Sequence, residues 1–126
     1  RIQLGYNSIA VKDIAKTMSM TMKMAKVAQE HNIPGFCADL TVTPILVDWN
    51  KCVAARLPAF PGYDFGVQET NGWQNYKNWE IMKSYHPAHK ASWIETKNGV
   101  YETDDVFFEK SGGILTPSNH YEDLFK

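Results

Sequence analysis

Three places in this chain put ionisable side chains where strands are expected to end. Lys12, Asp13 and Lys16 follow a first extended segment, Asp39 follows Gly35-Phe36-Cys37-Ala38, and Glu69 closes a run that starts near Tyr63. A carboxylate late in an apolar strand is costly to desolvate, so it must be hydrogen-bonded, paired or exposed at the strand end. Asp39 and Glu69 therefore suit acid/base work on a bound molecule. The competing reading of each is a helix cap or a structural ion pair. Lys12, Asp13 and Lys16 complete the candidate catalytic set, with the register among them open. Thr41 and Asn71, just past the second and third strand ends, are the candidate substrate-binding residues.

Other polar residues read as structural. His86 and His89 flank Pro87 in an expected loop without a Cys or carboxylate cluster at ligand spacing, which favours solvated loop over metal ligand. His31 sits at an expected helix end and suits the helix dipole, and His120 falls in the polar tail. Cys37 and Cys52 read as core thiols and the methionines from Met18 to Met24 as core packing. Trp49, Trp73, Trp79 and Trp93 read as anchors between layers rather than a binding platform.

The elements that must position these groups follow from periodicity and punctuation. An extended segment runs from Ile2 to about Ala15. A helix starts at Thr17 or Ser19, carries Met20, Met24, Val27 and Ala28 at helical spacing, and ends at Asn32 before Pro34. Gly35 to Val42 reads as a buried parallel strand. Thr43-Pro44 opens a second helix, one face of which is marked by Ile45, Trp49, Cys52, Val53 and Arg56. A third strand covers Tyr63 to Glu69, and a third helix carries Trp73, Tyr76, Trp79 and Lys83. Lys97-Asn98-Gly99 between Trp93–Thr96 and Val100–Glu102 marks a hairpin. A helix capped by Thr103 and a last helical turn after Pro117-Ser118 complete the chain. Residues 1–90 are thus a β-α-β-α-β-α segment, and 91–126 are a tail of hairpin and short helices in the same domain. Alternation of this kind implies an α/β fold with parallel strands and crossover helices.

At 126 residues the chain is one domain. Thirteen Lys and Arg against fourteen Asp and Glu leave a net charge of −1, with no basic excess for nucleic acid or an anionic membrane. No apolar run is long enough to span a bilayer. Two cysteines on different elements fit a reducing, cytoplasmic compartment. The strand-to-helix junctions Asp39-Leu40-Thr41 and Glu69-Thr70-Asn71 lack a glycine-rich phosphate fingerprint.

The run His31-Asn32-Ile33-Pro34-Gly35-Phe36-Cys37-Ala38-Asp39 resembles the helix-six to strand-seven junction of the mandelate racemase and muconate-lactonising branch of the enolase superfamily. Phe65-Gly66-Val67-Gln68-Glu69-Thr70-Asn71-Gly72 is similar to that family's eighth strand, which ends in a glutamate. The resemblance implies strands six to eight and the tail of a (β/α) TIM-type barrel. It implies chemistry in which the proton α to a carboxylate is removed and Mg²⁺ stabilises the enediolate. The implied activity is sugar-acid dehydration or racemisation. Glu69 would hydrogen-bond the substrate carboxylate or the enediolate. Asp39 falls where many members carry a histidine, and is a replacement for it at most. Mg²⁺ would be held by carboxylates on preceding strands, outside these residues. An upstream part of the chain, an acid-sugar substrate and a homo-oligomer are the implied partners, and the fragment alone is expected to be inactive. The alternative is a non-enzymatic small α/β domain that acts in oligomerisation or binding.

Overall fold

The computed structural model describes residues 4–126. Its centre is a small parallel sheet. Strand β1 (Ile9–Val11) pairs with β2 (Gly35–Cys37), with Ile9 opposite Gly35 and Val11 opposite Cys37. Gln68 adds a third parallel rung through a bridge to Cys37. Helix α1 (Met18–Glu30) connects β1 to β2, and α2 (Pro44–Ala54) connects β2 to the Gln68 rung. Short helices α3 (Gly72–Asn75) and α4 (Trp79–Ser84) follow. Then come an antiparallel hairpin of β3 (Thr96–Lys97) and β4 (Val100–Tyr101), and helices α5 (Asp105–Lys110) and α6 (Asn119–Asp123). The fold is mixed helix and strand with a parallel sheet, as an α/β reading requires.

Local chemistry sets the boundaries. Thr17 Oγ1 accepts the amide of Met20 and starts α1. Asn32, left-handed at φ 55°, turns the chain after the cap residue His31. Thr43 is extended and Pro44 occupies the first turn of α2, though the Thr43 side chain makes no cap bond. Asn98 and Gly99 have φ of 53° and 78°, the paired positive values of a two-residue type I′ hairpin turn. Asp104, not Thr103, caps α5 by accepting the amide of Phe107.

The buried apolar set is small: Val11, Ala28, Cys37, Ala38, Val42, Val47, Ala54, Trp93 and Phe107. Beside it lie buried polar groups, among them Asp13, Asp39, Asp48, Asn50, Lys51 and His86.

Several expectations are corrected. The part of the first extended segment at Ile2 lies outside the described residues, and the strand stops at Val11 rather than near Ala15. The second strand stops at Cys37, because Asp39 draws the following backbone into a turn with Thr41 at φ 57°. The third strand contracts to the Gln68 rung. The third helix breaks at Tyr76, which is extended, so Trp73 and Trp79 fall on separate helices. The methionine stripe is not core: Met20 and Met22 are 48% and 65% exposed. The buried residues of α2 are Pro44, Val47, Asp48, Asn50, Lys51 and Ala54, not the Ile45–Trp49–Cys52 face. Trp49, Cys52 and Val53 instead line a groove of about 450 Å³ toward α1.

Candidate functional site at the strand ends

Parallel register decides which side chains share a face. Val11, Cys37 and Gln68 are paired, so they point to one side. Ala38 N donates to Val11 O (2.7 Å) and Glu69 N donates to Cys37 O (2.9 Å), the bonds that hold the Val11–Cys37 and Cys37–Gln68 pairs. Lys12, Ala38 and Glu69 each follow the last paired residue of their strand; Ala38 is buried, Lys12 half-buried and Glu69 exposed. Asp13 returns to this first face, against Cys37.

Contacts identify what covers this face. The Cys37 thiol donates to Asp13 Oδ1 at 2.7 Å. Asn50 of α2, taken in the amide orientation that satisfies both partners, donates to both Asp13 oxygens at 3.2 and 3.1 Å. The first face is thus the one α2 covers. Burial, then the bond and negative charge of Asp13, push the Cys37 thiol far above its ordinary value of 9.0.

Asp39 is buried and fully engaged with backbone. Its Oδ1 accepts the amides of Leu40 (2.6 Å) and Val42 (3.1 Å), and Oδ2 accepts the amide of Asn71 (2.8 Å). One carboxylate therefore ties the loop after β2 to the segment after the third rung. Lys12 Nζ donates to the carbonyl of Asp39 at 3.2 Å. Asp13 and Asp39 both serve the architecture, and of the strand-end carboxylates Glu69 is the exposed one.

Glu69 is exposed, and among the described residues its carboxylate enters no hydrogen bond or ion pair. Lys16 is exposed in the turn before α1, away from the strand rows. Thr41 is half-buried in a left-handed conformation costly for a β-branched residue, and its carbonyl accepts the Tyr76 hydroxyl at 2.8 Å. Asn71 Oδ1 is shielded and unpartnered. The structure thus brings Lys12, Asp39, Thr41, Glu69 and Asn71 to one end of the sheet and leaves Lys16 aside.

A second cluster was missed at the level of sequence. Lys51 Nζ donates to Asp48 Oδ1 (2.7 Å) and to the Trp93 carbonyl (2.6 Å), and lies 3.9 Å from the centre of the Tyr101 ring. Asp48 Oδ2 is 2.6 Å from His86 Nε2, and His86 Nδ1 accepts the amide of Ala88 at 2.9 Å. Lys51, Asp48 and His86 are all buried, so the solvated-loop reading of His86 is overturned. The cause is the tail, which lays Trp93 and Ser111–Gly113 against α2 and excludes water. Burial lowers the pKa of Lys51, and Asp48 opposes that shift. The available signal was an Asp and a Lys three residues apart inside the mostly apolar helix Pro44–Ala54. His120, assigned to the polar tail, stacks on Tyr85 with ring centres 3.5 Å apart.

No group of three or more His, Cys, Asp or Glu among the described residues is placed to hold a metal ion. These residues therefore do not by themselves fit the Mg²⁺ that the family resemblance implies. No helix among them is long and apolar enough to cross a membrane. Compared with protein-family models, curated proteins and solved structures, the chain matches none.

Proposed function

We propose that this chain is strands six to eight and the tail of a (β/α) barrel enzyme of the enolase superfamily. The reaction is removal of the proton α to the carboxylate of an acid sugar, as a dehydratase or racemase working in the cytoplasm. The observation that supports this best is the position of Lys12 and Glu69. Lys12 follows Val11 and the exposed Glu69 follows Gln68, so an ammonium and a carboxylate each come just after the last paired residue of a parallel strand. In α/β folds that end of the sheet is where ligands bind.

In this reading Glu69 hydrogen-bonds the substrate carboxylate or the enediolate, and Lys12 is the sixth-strand polar residue. Asp39 is a positioning residue, because its oxygens are taken by three amides. Asn71 and Thr41 line the substrate's end of the sheet. Mg²⁺ would be held by carboxylates on the preceding strands of the barrel, where it would stabilise the enediolate. A sheet whose edge is unpaired needs cover. The upstream part of the enzyme, or a second copy, provides that cover.

The test uses the protein as its source makes it. Exchange of the α-proton of acid sugars in D₂O, followed by NMR with and without Mg²⁺, should show Mg²⁺-dependent exchange. Glu69→Gln should lower turnover at least about 100-fold, the scale of a lost acid/base or enediolate-binding group. Wild-type turnover in that variant removes Glu69 from the site. A protein with no such exchange that forms a stable homo-oligomer is instead a binding or assembly module.

A further inference from the structure

On the covered side of the sheet, a cavity of about 390 Å³ opens between α2, the segment after the third rung and the hairpin. That size falls within the range of small-molecule sites. We propose that this cavity binds the ring of a neutral saccharide.

One part of its lining is a fixed aromatic surface. Trp79 has its ring against Gly72, where an added Cβ would come within 2.5 Å of it. It also stacks nearly parallel to Tyr76, at 13° with ring centres 6.4 Å apart. The Tyr76 hydroxyl is in turn tied to Thr41 O. Trp79 is thus held in place before any ligand arrives. Trp73 also lines the cavity and is 58% exposed, a large apolar ring left open at the rim. Indole faces suit the C–H face of a pyranose, which is apolar in patches and ringed by hydroxyls.

The remaining lining offers neutral dipoles. Gln68 Nε2 donates to Thr70 Oγ1 at 2.9 Å, and the Thr70 hydroxyl also partners the Tyr101 phenol. Gln68 Oε1 is shielded and has no partner among the described residues, an acceptor beside the cavity that a ligand hydroxyl would satisfy. Tyr101 adds a phenol that burial keeps protonated beyond its ordinary value of 10.0. A ligand with several hydroxyls, each both donor and acceptor, matches such a mixed wall.

Charge argues against an anion. Lys51 is neutralised by Asp48, and Lys83 is paired with Glu80 at 2.7 Å and also with Glu95. An anionic ligand would meet Glu80 and Glu95, which line the same cavity. A wholly apolar ligand would desolvate Gln68, Thr70 and Tyr101 without replacing their hydrogen bonds. Gln68 and Thr70 line the cavity and Glu69 between them does not, so this site is separate from the proposed catalytic one.

The experiment titrates the chain with methyl β-glucopyranoside and cellobiose, with sodium glucuronate and adenosine as contrasts. Binding is read by tryptophan emission and by ¹H–¹⁵N NMR. The expected result is saturable binding of the neutral sugars in the millimolar range, with shifts at the Trp73 and Trp79 indoles and the Gln68 side-chain amide. Trp73→Ala should weaken binding about tenfold, equivalent to about 1.4 kcal/mol. Glu69→Gln should leave it unchanged, which separates this site from the proposed catalytic one. No saturable binding of either sugar overturns the proposal. So does tighter binding of glucuronate or adenosine, or shifts that map away from Trp73, Trp79 and Gln68. The wild-type NMR map decides the matter even where a variant fails to fold.

Discussion

Asp48 Oδ2 lies 2.6 Å from His86 Nε2, with both side chains buried, and this contact joins α2 to the loop after α4. The other oxygen of Asp48 holds Lys51, which reaches the Trp93 carbonyl. Removing one member leaves buried charge without its partner. Lys51→Met and Asp48→Asn should each destabilise the fold by about 3–5 kcal/mol, measured by urea unfolding. Losses below about 1 kcal/mol would show that water reaches this cluster.

Asp39 and Glu69 should separate cleanly in the same assay. Asp39→Ala removes the acceptor of three amides, one buried and two partly buried, and should cost about 2–4 kcal/mol. Glu69→Gln removes an exposed carboxylate with no partner among the described residues, and its effect should stay within about 0.5 kcal/mol. A large loss in Glu69→Gln would make that residue structural.

Cys37 predicts a pH dependence. Its thiol pKa is raised in the folded state from an ordinary value of 9.0. Above pH 9.0 the unfolded chain therefore releases a proton that the folded chain keeps. Stability contributed by the protonated thiol is complete below that pH and falls as pH rises, by up to about 1.4 kcal/mol per pH unit. Lys51, with its pKa lowered from 10.5, acts in the opposite direction: its burial cost shrinks as pH rises toward that value. The difference between wild type and Cys37→Ala isolates the thiol. That difference should narrow steadily above pH 9 in chemical unfolding series, and a constant difference would contradict the raised pKa.

Gly66 predicts a steric effect. A Cβ there would stand 1.9 Å from the carbonyl oxygen of Ala54, so the chain after α2 passes directly over the helix end. Gly66→Ala should cost about 2–3 kcal/mol in thermal or urea unfolding. A neutral outcome would mean that this crossing is looser than the structure shows.

What was legible in the sequence is what neighbours in the chain decide. Thr17, Asn32 and Pro34 bracket α1, Pro44 starts α2, and Asn98-Gly99 turns the hairpin; each acts within a few residues of itself. The strand-end positions of Asp39 and Glu69 were also readable, since each follows an apolar run. Illegible were features set from a distance. The extent of β2 depends on where the Asp39 carboxylate finds the Asn71 amide. The inner face of α2 depends on a tail more than forty positions away: Trp93 gives Lys51 its acceptor, and Gly112 packs against Asp48. Hydropathy alone placed the helix on Trp49 and Cys52, because a paired Lys and Asp look solvated until the partner is known.

Asp13, Cys37, Asn50 and Asp39 tie the ends of the short sheet together through buried side-chain bonds, while the exposed carboxylate of Glu69 beside them bears none among the described residues. The side chain at position 69 can therefore be exchanged while the backbone that carries it stays where it is.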